Sequence, residues 1–203
     1  MFPAVILAGG QSRRMGQDKA TVTLAGAPLL RHVAHRLSGQ TSRLAINAPA
    51  SPQLDAPFHH LPDTLEGFLG PLAGILAAMR FAAHLPDQPS HVLTTAIDTP
   101  FIPLDLAPRL SGALTGDTAI SVASSLGAMH PVCGLWPVRL ADDLEAFLHS
   151  PEKARVKTFL SRHNTAAVEF PTLMTTAGPL DPFFNVNTRE DLELAERYME
   201  ILP

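Results

Sequence analysis

The amino-acid sequence predicts a single-domain, Rossmann-like α/β fold with a mostly parallel sheet and helices on both of its faces. Short apolar runs alternate with stretches of helical periodicity along the whole chain, which is typical of β–α–β units. The 203 residues suffice for one well-buried core and are few for two. A glycine turn directly follows the first apolar run, at the kind of position where such sheets bind ligands beyond the carboxyl ends of their strands.

The first half of the chain predicts three strands and two helices. The strands fall at 4–8, 43–47 and 58–61, and the proline-rich stretch 48–57 predicts a loop. Pro28 and Pro71 each stand where the first turn of a helix tolerates proline. Apolar residues follow each proline at helical spacing, namely Leu29, Leu30, Val33 and Leu37 after the first and Leu72, Ile75, Leu76 and Met79 after the second.

The second half begins with the strongest strand pattern, 91–97, which ends at Asp98-Thr99-Pro100. Further strands are predicted at 119–123 and 131–136, and helices at 104–114, 139–148 and 156–163. A last helix is predicted at 190–200, with Thr188 as its N-cap. Neither an internal repeat nor a domain linker interrupts this order.

Residues 5–19 carry the strongest functional signal. An apolar strand breaks at Gly9-Gly10 into a loop that contains Arg13, Arg14 and Lys19. A glycine turn exposes backbone N–H groups, and the added positive charge makes the loop suited to a polyphosphate. The spacing excludes a Walker A loop and a G-x-G-x-x-G fingerprint. Taken alone, the loop is also compatible with a plain turn flanked by solvated arginines.

This loop resembles a known family. The string Leu7-Ala8-Gly9-Gly10, followed by Ser12, Arg14-Met15-Gly16 and Asp18-Lys19, is similar to the signature loop of the molybdenum cofactor guanylyltransferases, part of a wider nucleotidyltransferase group. The second glycine and the Asp-Lys pair favour the guanylyl branch, since the cytidylyl branch more often has Ala-Ala-Gly. The resemblance implies that Leu7, Ala8, Gly9, Gly10 and Lys19 bind the nucleotide and that Arg14 and Lys19 are catalytic.

Asp98 provides the second motif, a carboxylate directly after a central buried strand. One or two carboxylates together with substrate phosphates form the usual protein site for Mg²⁺. An Asp-x-Pro turn that caps the next helix is the alternative reading of the same residues. The pattern resembles the family's magnesium-binding aspartate, which implies that Asp98 binds both metal and nucleotide and takes part in catalysis.

A third motif combines Asp63 with the glycine-rich segment 67–75. Gly70 and Gly74 bracket a predicted helix start, where unpaired N–H groups and the helix dipole favour polar ligands. The alternative is a flexible loop before an ordinary helix. The string Gly-Pro-Leu-Ala-Gly resembles the guanine-contacting segment of the family, and by the same resemblance Asp63 and Asn47 contact the nucleotide.

The fourth motif is Asn185-Val-Asn187-Thr-Arg, whose two asparagines point to the same side of an extended segment. They predict contacts to Mg²⁺ or to the acceptor phosphate, and helix capping is compatible with either. The family pattern has proline where this chain has Arg189. Arg155 resembles an arginine on the acceptor side of the family.

Composition limits the other possibilities. A net charge of −4 and the absence of a basic run outside the first loop argue against a nucleic-acid or membrane surface. The single Cys133 excludes an intrachain disulfide and is interpreted, like Trp136, as a core residue. The histidines lack zinc spacing, so we interpret them as surface or core residues. The N-terminus predicts a strand rather than a signal peptide, and we expect a cytoplasmic protein.

Taken together, the motifs and the resemblance imply one nucleotidyltransferase domain over 1–203. Its nucleotide part lies at about 1–100 and its acceptor part at about 101–203. The implied cofactor is Mg²⁺ and the implied substrates are GTP and molybdopterin or the molybdenum cofactor. The resemblance also implies a molybdenum insertion protein and apo-molybdoenzymes or their chaperones as further partners. The alternatives are a cytidylyl or sugar-phosphate transferase and a non-catalytic GTP-binding protein that delivers the cofactor.

Overall fold

The computed structural model describes residues 1–9, 22–48, 58–62, 70–116, 119–150 and 154–200. The predictions for Gly10, Arg14, Lys19, Asp63 and most of the loop at 48–57 lie outside the described residues. Every structural statement below concerns the described ranges.

The described chain alternates strands and helices as expected. Its first part forms, in order, β1 (Phe2–Leu7), β2 (Thr23–Leu24), β3 (Ala27–Pro28), α1 (Leu29–Ser38), β4 (Thr41–Asn47), β5 (His59–Leu61), α2 (Pro71–Ala83) and β6 (His91–Ala96). Its second part forms α3 (Leu106–Gly112), β7 (Ile120–Ser125), β8 (Ala128–Pro137), a 3-10 turn (Val138–Leu140), α4 (Ala141–Leu148), α5 (Val156–Leu160), β9 (Thr165–Glu169), β10 (Leu173–Thr175), β11 (Gly178–Leu180) and α6 (Arg189–Met199).

Seven strands form one sheet in the order β5-β4-β1-β6-β8-β7-β9. The pairs β5–β4, β4–β1, β1–β6 and β7–β9 are parallel, whereas β8 runs antiparallel to both β6 and β7. Two small antiparallel ribbons, β2–β3 and β10–β11, lie outside this sheet. The mostly parallel sheet that the sequence predicts is therefore confirmed.

Helices cover both faces of the sheet, as the sequence predicts. Ala4 and Ile6 of β1 belong to a core with α1, α3 and α6, while Val5 and Leu7 belong to a core with α2, α4 and α5. This division follows from the two-residue alternation of a strand. Since β1 is buried on both faces, its sequence is a continuous apolar run rather than an alternating one.

The sequence locates most elements to within a few residues and misses the short ones. The helix expected at 104–114 is limited to Leu106–Gly112, and the one expected at 156–163 ends at Leu160. The edge strand β9 and both ribbons were not expected. The described residues include no helix that is both long and apolar enough to cross a membrane.

Candidate functional site

The parallel strands β5, β4, β1 and β6 end at one edge of the sheet, and most of the described motif residues are at or near that edge. Leu7 at the end of β1 pairs with Asn47 on one side and with Ala96 on the other. Asn47 in turn pairs with Leu61, the last residue of β5. The residues that follow each strand are thereby neighbours in space, and this carboxyl edge is the place where open α/β sheets bind ligands.

Backbone hydrogen bonds hold the end of β1, directly before Gly9, to both neighbouring strands. The N–H of Ala8 donates to the carbonyl of Asn47 over 2.8 Å, and the N–H of Ile97 donates to the carbonyl of Leu7 over 3.1 Å. Gly9 follows and is exposed. The chain therefore leaves the sheet at Gly9 with its direction set by backbone hydrogen bonds.

Asn47 is a buried polar residue between this turn and α2. Its side chain is 2% exposed, and its Nδ2 donates to the carbonyl of Leu61 over 3.2 Å. A Cβ added at Gly74 would lie 2.6 Å from Asn47 Oδ1 and 3.2 Å from a methyl carbon of Leu7. Gly74 is therefore glycine because the first turn of α2 approaches the asparagine closely.

The amino end of α2 faces the same edge. Gly70 is its N-cap with φ of 154°, a backbone conformation that favours glycine, and Pro71 follows as the first helical residue. The first turn of this helix holds no acidic side chain. Its N–H groups and positive dipole end suit a polar or anionic ligand.

Asp98 follows β6 and is partly exposed. The helix that comes next, α3, begins only at Leu106 with Asp105 as its N-cap, so Asp98 does not cap it. Burial raises the pKa of the Cys133 thiol on β8 to about 12, and the charge of Asp98 adds to that rise. Cys133 is thus a protonated core residue, and the Asp98 carboxylate lies close enough to β8 to affect it.

The segment 181–187 reaches Asp98 from the other half of the chain. The N–H of Val186 donates to the carbonyl oxygen of Asp98 over 2.9 Å, and Val186 itself is fully buried. Asn185 is exposed and Asn187 is partly buried, as expected for alternate residues of an extended segment. The second and fourth motifs are therefore in direct contact.

Asp191 closes this segment at the start of α6. Its carboxylate accepts from the N–H of Asn187 over 3.0 Å and from the N–H of Thr188 over 2.9 Å. The Thr188 hydroxyl accepts from the N–H of Asp191 in return, which completes a capping box. The expected N-cap is confirmed.

The backbone pairing between strands β6 and β8 ends before the carboxyl edge. Their pairing ends at Thr94 and Gly134, although β6 continues to Ala96. On the other side of β8, the partner of β7 jumps from Gly134 to His130 across a bulge. The first part of β8 therefore follows β7, while Thr94 Oγ1 of β6 still donates to the carbonyl of Val132 over 2.6 Å.

Two further residues of the sequence analysis lie elsewhere in the fold, and Trp136 is the core residue that was expected. Trp136 is fully buried with its Nε1 donating to Thr94 Oγ1 over 3.0 Å, so it is a core residue and does not offer a stacking surface. Arg155 is exposed at the N-cap of α5. The contacts of the described residues do not connect it to Asp98.

Sequence reasoning missed one cluster at this edge. Ser125 at the end of β7 contacts both His130 and Asp181 through its hydroxyl. By resemblance to the family, the sequence places His130 on a strand that serves as structure and as one wall of the acceptor cleft, and it gives Asp181 no role. No local pattern could reveal the contact, because it joins three elements through tertiary structure.

Carboxylate and amide oxygens near Asp98 are the donor types that Mg²⁺ prefers. Among the described residues, no group of three or more His, Cys, Asp or Glu side chains is placed to hold a metal ion. An ion at Asp98 would therefore need oxygens from a bound substrate, which is how Mg²⁺ commonly binds beside phosphates.

Comparison with known proteins agrees with this architecture. Residues 4–167 match the family described as the MobA-like NTP transferase domain. The molybdenum cofactor guanylyltransferase of Rhizobium meliloti is 53% identical over 202 residues, which cover 98% of this chain and 93% of that protein.

Solved structures share the fold at lower identity. The molybdopterin-guanine dinucleotide biosynthesis protein A of Archaeoglobus fulgidus has a TM-score of 0.73 at 23% identity, covering 98% of this chain and 99% of that one. The 4-diphosphocytidyl-2C-methyl-D-erythritol synthase of Anaerococcus prevotii reaches 0.71 at 13% identity, covering 98% and 96%.

Proposed function

The chain belongs to the MobA-like NTP transferase family, and from this premise we propose that it transfers GMP from GTP to molybdopterin or the molybdenum cofactor. The products are the guanine dinucleotide form of the cofactor and pyrophosphate. The relative of 53% identity bears the name of this activity over nearly its whole length.

The observation that carries the proposal is the meeting of the motifs at the carboxyl edge. Gly9, Asn47 and the amino end of α2 lie on the β1–β4 side, and Asp98 follows β6 on the other side of β1. Fold alone does not assign a function. A glycine turn, a helix start and a carboxylate at one edge suit a nucleoside triphosphate in particular.

The reaction needs positioning and charge stabilisation more than proton transfer. An oxygen of the acceptor's phosphate monoester attacks the α-phosphorus of GTP, and the bond from that phosphorus to the bridging oxygen of the β-phosphate breaks. The monoester is already ionised near neutral pH, so no general base is required. Pyrophosphate leaves with the bond electrons, and catalysis rests on in-line placement and on neutralising the developing charge.

Asp98 would hold Mg²⁺ together with substrate phosphate oxygens, and the partly exposed carboxylate fits that donor set. When bound there, the ion would neutralise charge on the α-phosphate. We assign Lys19 and Arg14 to the departing pyrophosphate and the transition state, on the strength of the signature loop that they share with the family. The N–H groups of Gly9 and Gly10 would cradle the nucleotide, because the N–H of Ala8 already donates to the carbonyl of Asn47.

The two halves of the chain would hold the two substrates. The nucleotide would occupy the side formed by about 1–100, with Asn47, Asp63, Gly70 and Gly74 around it. The acceptor would lie beside Asp98, toward Asn185, Asn187 and Arg155 in the half formed by about 101–203. The contact between Val186 and Asp98 supports this arrangement, because it brings Asn185 and Asn187 close to the end of β6.

Guanine is the proposed base. The Gly9-Gly10 turn and the string Gly70-Pro-Leu-Ala-Gly74 are of the guanylyl type, and the relative that is 53% identical is named a guanylyltransferase. The fold does not separate guanine from cytosine, since a cytidylyl-type synthase shares it. A carboxylate such as Asp63 can accept both the N1 and N2 protons of guanine.

The test is magnesium-dependent pyrophosphate release with each of GTP, CTP, ATP and UTP, in the presence and absence of molybdopterin. Release confined to GTP plus molybdopterin is the expected result. Release with CTP would assign the chain to the cytidylyl type instead. GTP binding without release in any mixture would favour a cofactor-delivery protein that meets apo-molybdoenzymes, their chaperones or a molybdenum insertion protein.

A further inference from the structure

A chain of short hydrogen bonds joins three side chains on the acceptor half of the carboxyl edge. Ser125 Oγ lies 2.7 Å from His130 Nε2 and 2.7 Å from Asp181 Oδ1. Ser125 is fully buried, and His130 and Asp181 are partly buried. The proposed reaction assigns no role to any of the three.

The proton order of this chain follows from counting donors. A serine hydroxyl has one proton, and an ionised carboxylate can only accept. The Ser125 proton therefore goes to Asp181, and His130 must donate from Nε2 to the Ser125 oxygen. This order requires the tautomer of His130 that carries its proton on Nε2.

The pKa of His130 agrees with a neutral ring. Burial lowers that pKa below its ordinary value, and the charges of Asp181 and Glu169 oppose the effect. Nε2 keeps its proton in the charged ring as well, so the chain of donors persists in both charge states.

The chain of hydrogen bonds acts on the segment 181–187. Asp181 Oδ1 also accepts from the N–H of Phe183 over 2.9 Å, and the His130 ring stacks on Phe183 with centroids 4.7 Å apart. At the other end of the segment, Val186 is bound to Asp98. Asn185 therefore lies between two anchors, one at β7–β8 and one at β6.

This geometry excludes a hydrolytic Ser-His-Asp triad. In such a triad the serine donates to histidine and the carboxylate binds the second ring nitrogen. Here Ser125 stands in the middle, and its hydroxyl is buried away from any substrate. The three side chains stabilise the local structure around segment 181–187, and none of them is placed to attack a substrate.

We propose that Ser125, His130 and Asp181 are positioning residues for the acceptor, which fix the segment 181–187 so that Asn185 and Asn187 meet the acceptor beside Asp98. The inference rests on the proposed function for the identity of the acceptor, a phosphorylated pterin. The consequence is selective. Loss of the hydrogen bonds among these three side chains weakens acceptor binding and leaves GTP binding unchanged.

The main experiment compares Asp181→Ala with Asp181→Asn. The alanine removes the acceptor atom for Ser125 and Phe183, while the asparagine keeps an oxygen at that position, so it is the matched control. We expect the KM for molybdopterin to rise about tenfold in Asp181→Ala, the effect of losing one or two buried hydrogen bonds. The KM for GTP should stay unchanged in both variants.

Ser125→Ala provides a second variant that removes one buried oxygen without adding volume. It should raise the KM for molybdopterin by less than Asp181→Ala does, because Phe183 keeps its acceptor, and the double variant should be no worse than Asp181→Ala, which already removes both bonds. An equal rise of both KM values, or full additivity, would overturn the inference. The proton order has its own test, since ¹⁵N NMR at neutral pH should show His130 protonated on Nε2 alone.

Amide exchange separates this inference from the proposed function. The N–H of Val186 should exchange faster in Asp181→Ala and in Ser125→Ala, and the N–H of Phe183 should do so most in Asp181→Ala, where its acceptor is lost. Both should exchange at the wild-type rate in Asp181→Asn. Unchanged exchange in the alanine variants would refute the positioning role even if the wild type transfers GMP to molybdopterin. Failure of that transfer in the wild type would refute the proposed function, whatever the exchange rates are.

Discussion

The N–H of Val186 donates to the carbonyl oxygen of Asp98 over 2.9 Å, which joins the second motif to the fourth. The bond involves only backbone atoms of both residues. It therefore helps to position Asp98 without using the carboxylate as a hydrogen-bond acceptor. Val186 is buried in the core with α6. The packing of the last helix therefore helps to determine where the acceptor segment meets the end of β6.

Asp98→Ala should abolish most activity while the fold is retained. The backbone bond to Val186 survives the substitution, whereas a ligand for Mg²⁺ is lost, which should lower kcat by about 100-fold or more. Magnesium-dependent pyrophosphate release measures the effect, and thermal unfolding checks the fold. Asp105→Ala, at an exposed carboxylate before α3, is the control and should keep normal turnover. Wild-type turnover of Asp98→Ala at saturating Mg²⁺ would contradict the metal role.

Gly74→Ala should disturb Asn47. The added Cβ would lie 2.6 Å from Asn47 Oδ1, so the asparagine or the first turn of α2 must move. We expect a loss of about 1–3 kcal/mol in the free energy of unfolding, typical of overpacking, and a higher KM for GTP. Gly112→Ala in α3 is the control, because its Cβ would meet nothing within 4 Å. Equal free energies of unfolding for the two variants would contradict the prediction, because α2 would then accommodate the added methyl group without loss of stability.

Lys19→Ala tests the basic loop of the proposed site. If the lysine stabilises charge on the departing pyrophosphate, kcat should fall and the KM for GTP should change little. Steady-state kinetics with saturating molybdopterin separates the two parameters. A rise in KM with unchanged kcat would assign Lys19 to ground-state binding of GTP instead.

Apolar periodicity and proline position predicted the main sheet and its helices because both are local signals. Val5 and Leu7 on one face and Ala4 and Ile6 on the other are enough to identify a strand buried on both sides. Edge strand β9 was missed because its residues are half-exposed and show no clear alternation. The ribbons are too short to have a period of their own.

For the candidate site, the sequence could identify residues but not their contacts. Asp98 and Asn185 were recognised from motifs, yet their proximity depends on a bond between Val186 and the end of β6. The contact of Ser125 with His130 depends on a bulge that shifts the register of β8. Register shifts of this kind are set by tertiary packing, which no short motif contains.

Cys133 should make stability fall at high pH. Its thiol pKa is raised from 9.0 to about 12 by burial, so the unfolded chain loses this proton before the folded one does. The contribution of this thiol to the free energy of unfolding is fully present below pH 9.0. It decreases by up to about 1.4 kcal/mol per pH unit as the pH rises toward 12. Urea unfolding of the wild type and of Cys133→Ala, at neutral pH and above pH 9.0, isolates the contribution. The difference between them should depend on pH, and a constant difference would contradict it.

Arg189→Pro should stabilise the protein. Arg189 is the first residue of α6, where the N–H has no acceptor within the helix, and the φ of a helical residue is close to the one that proline requires. The preceding Thr188 has φ of −126° and ψ of 172°, an extended conformation close to the one favoured before proline.

The cost of this substitution is small. It removes only an exposed ion pair with Glu193, in which the two side chains are 86% and 63% exposed, and such pairs contribute little. A gain of about 0.4–1 kcal/mol is expected because proline restricts the unfolded chain. Denaturant unfolding measures it, with Arg189→Ala as the control for loss of the ion pair. If Arg189→Pro is less stable than Arg189→Ala, proline strains the helix start, and the prediction is contradicted.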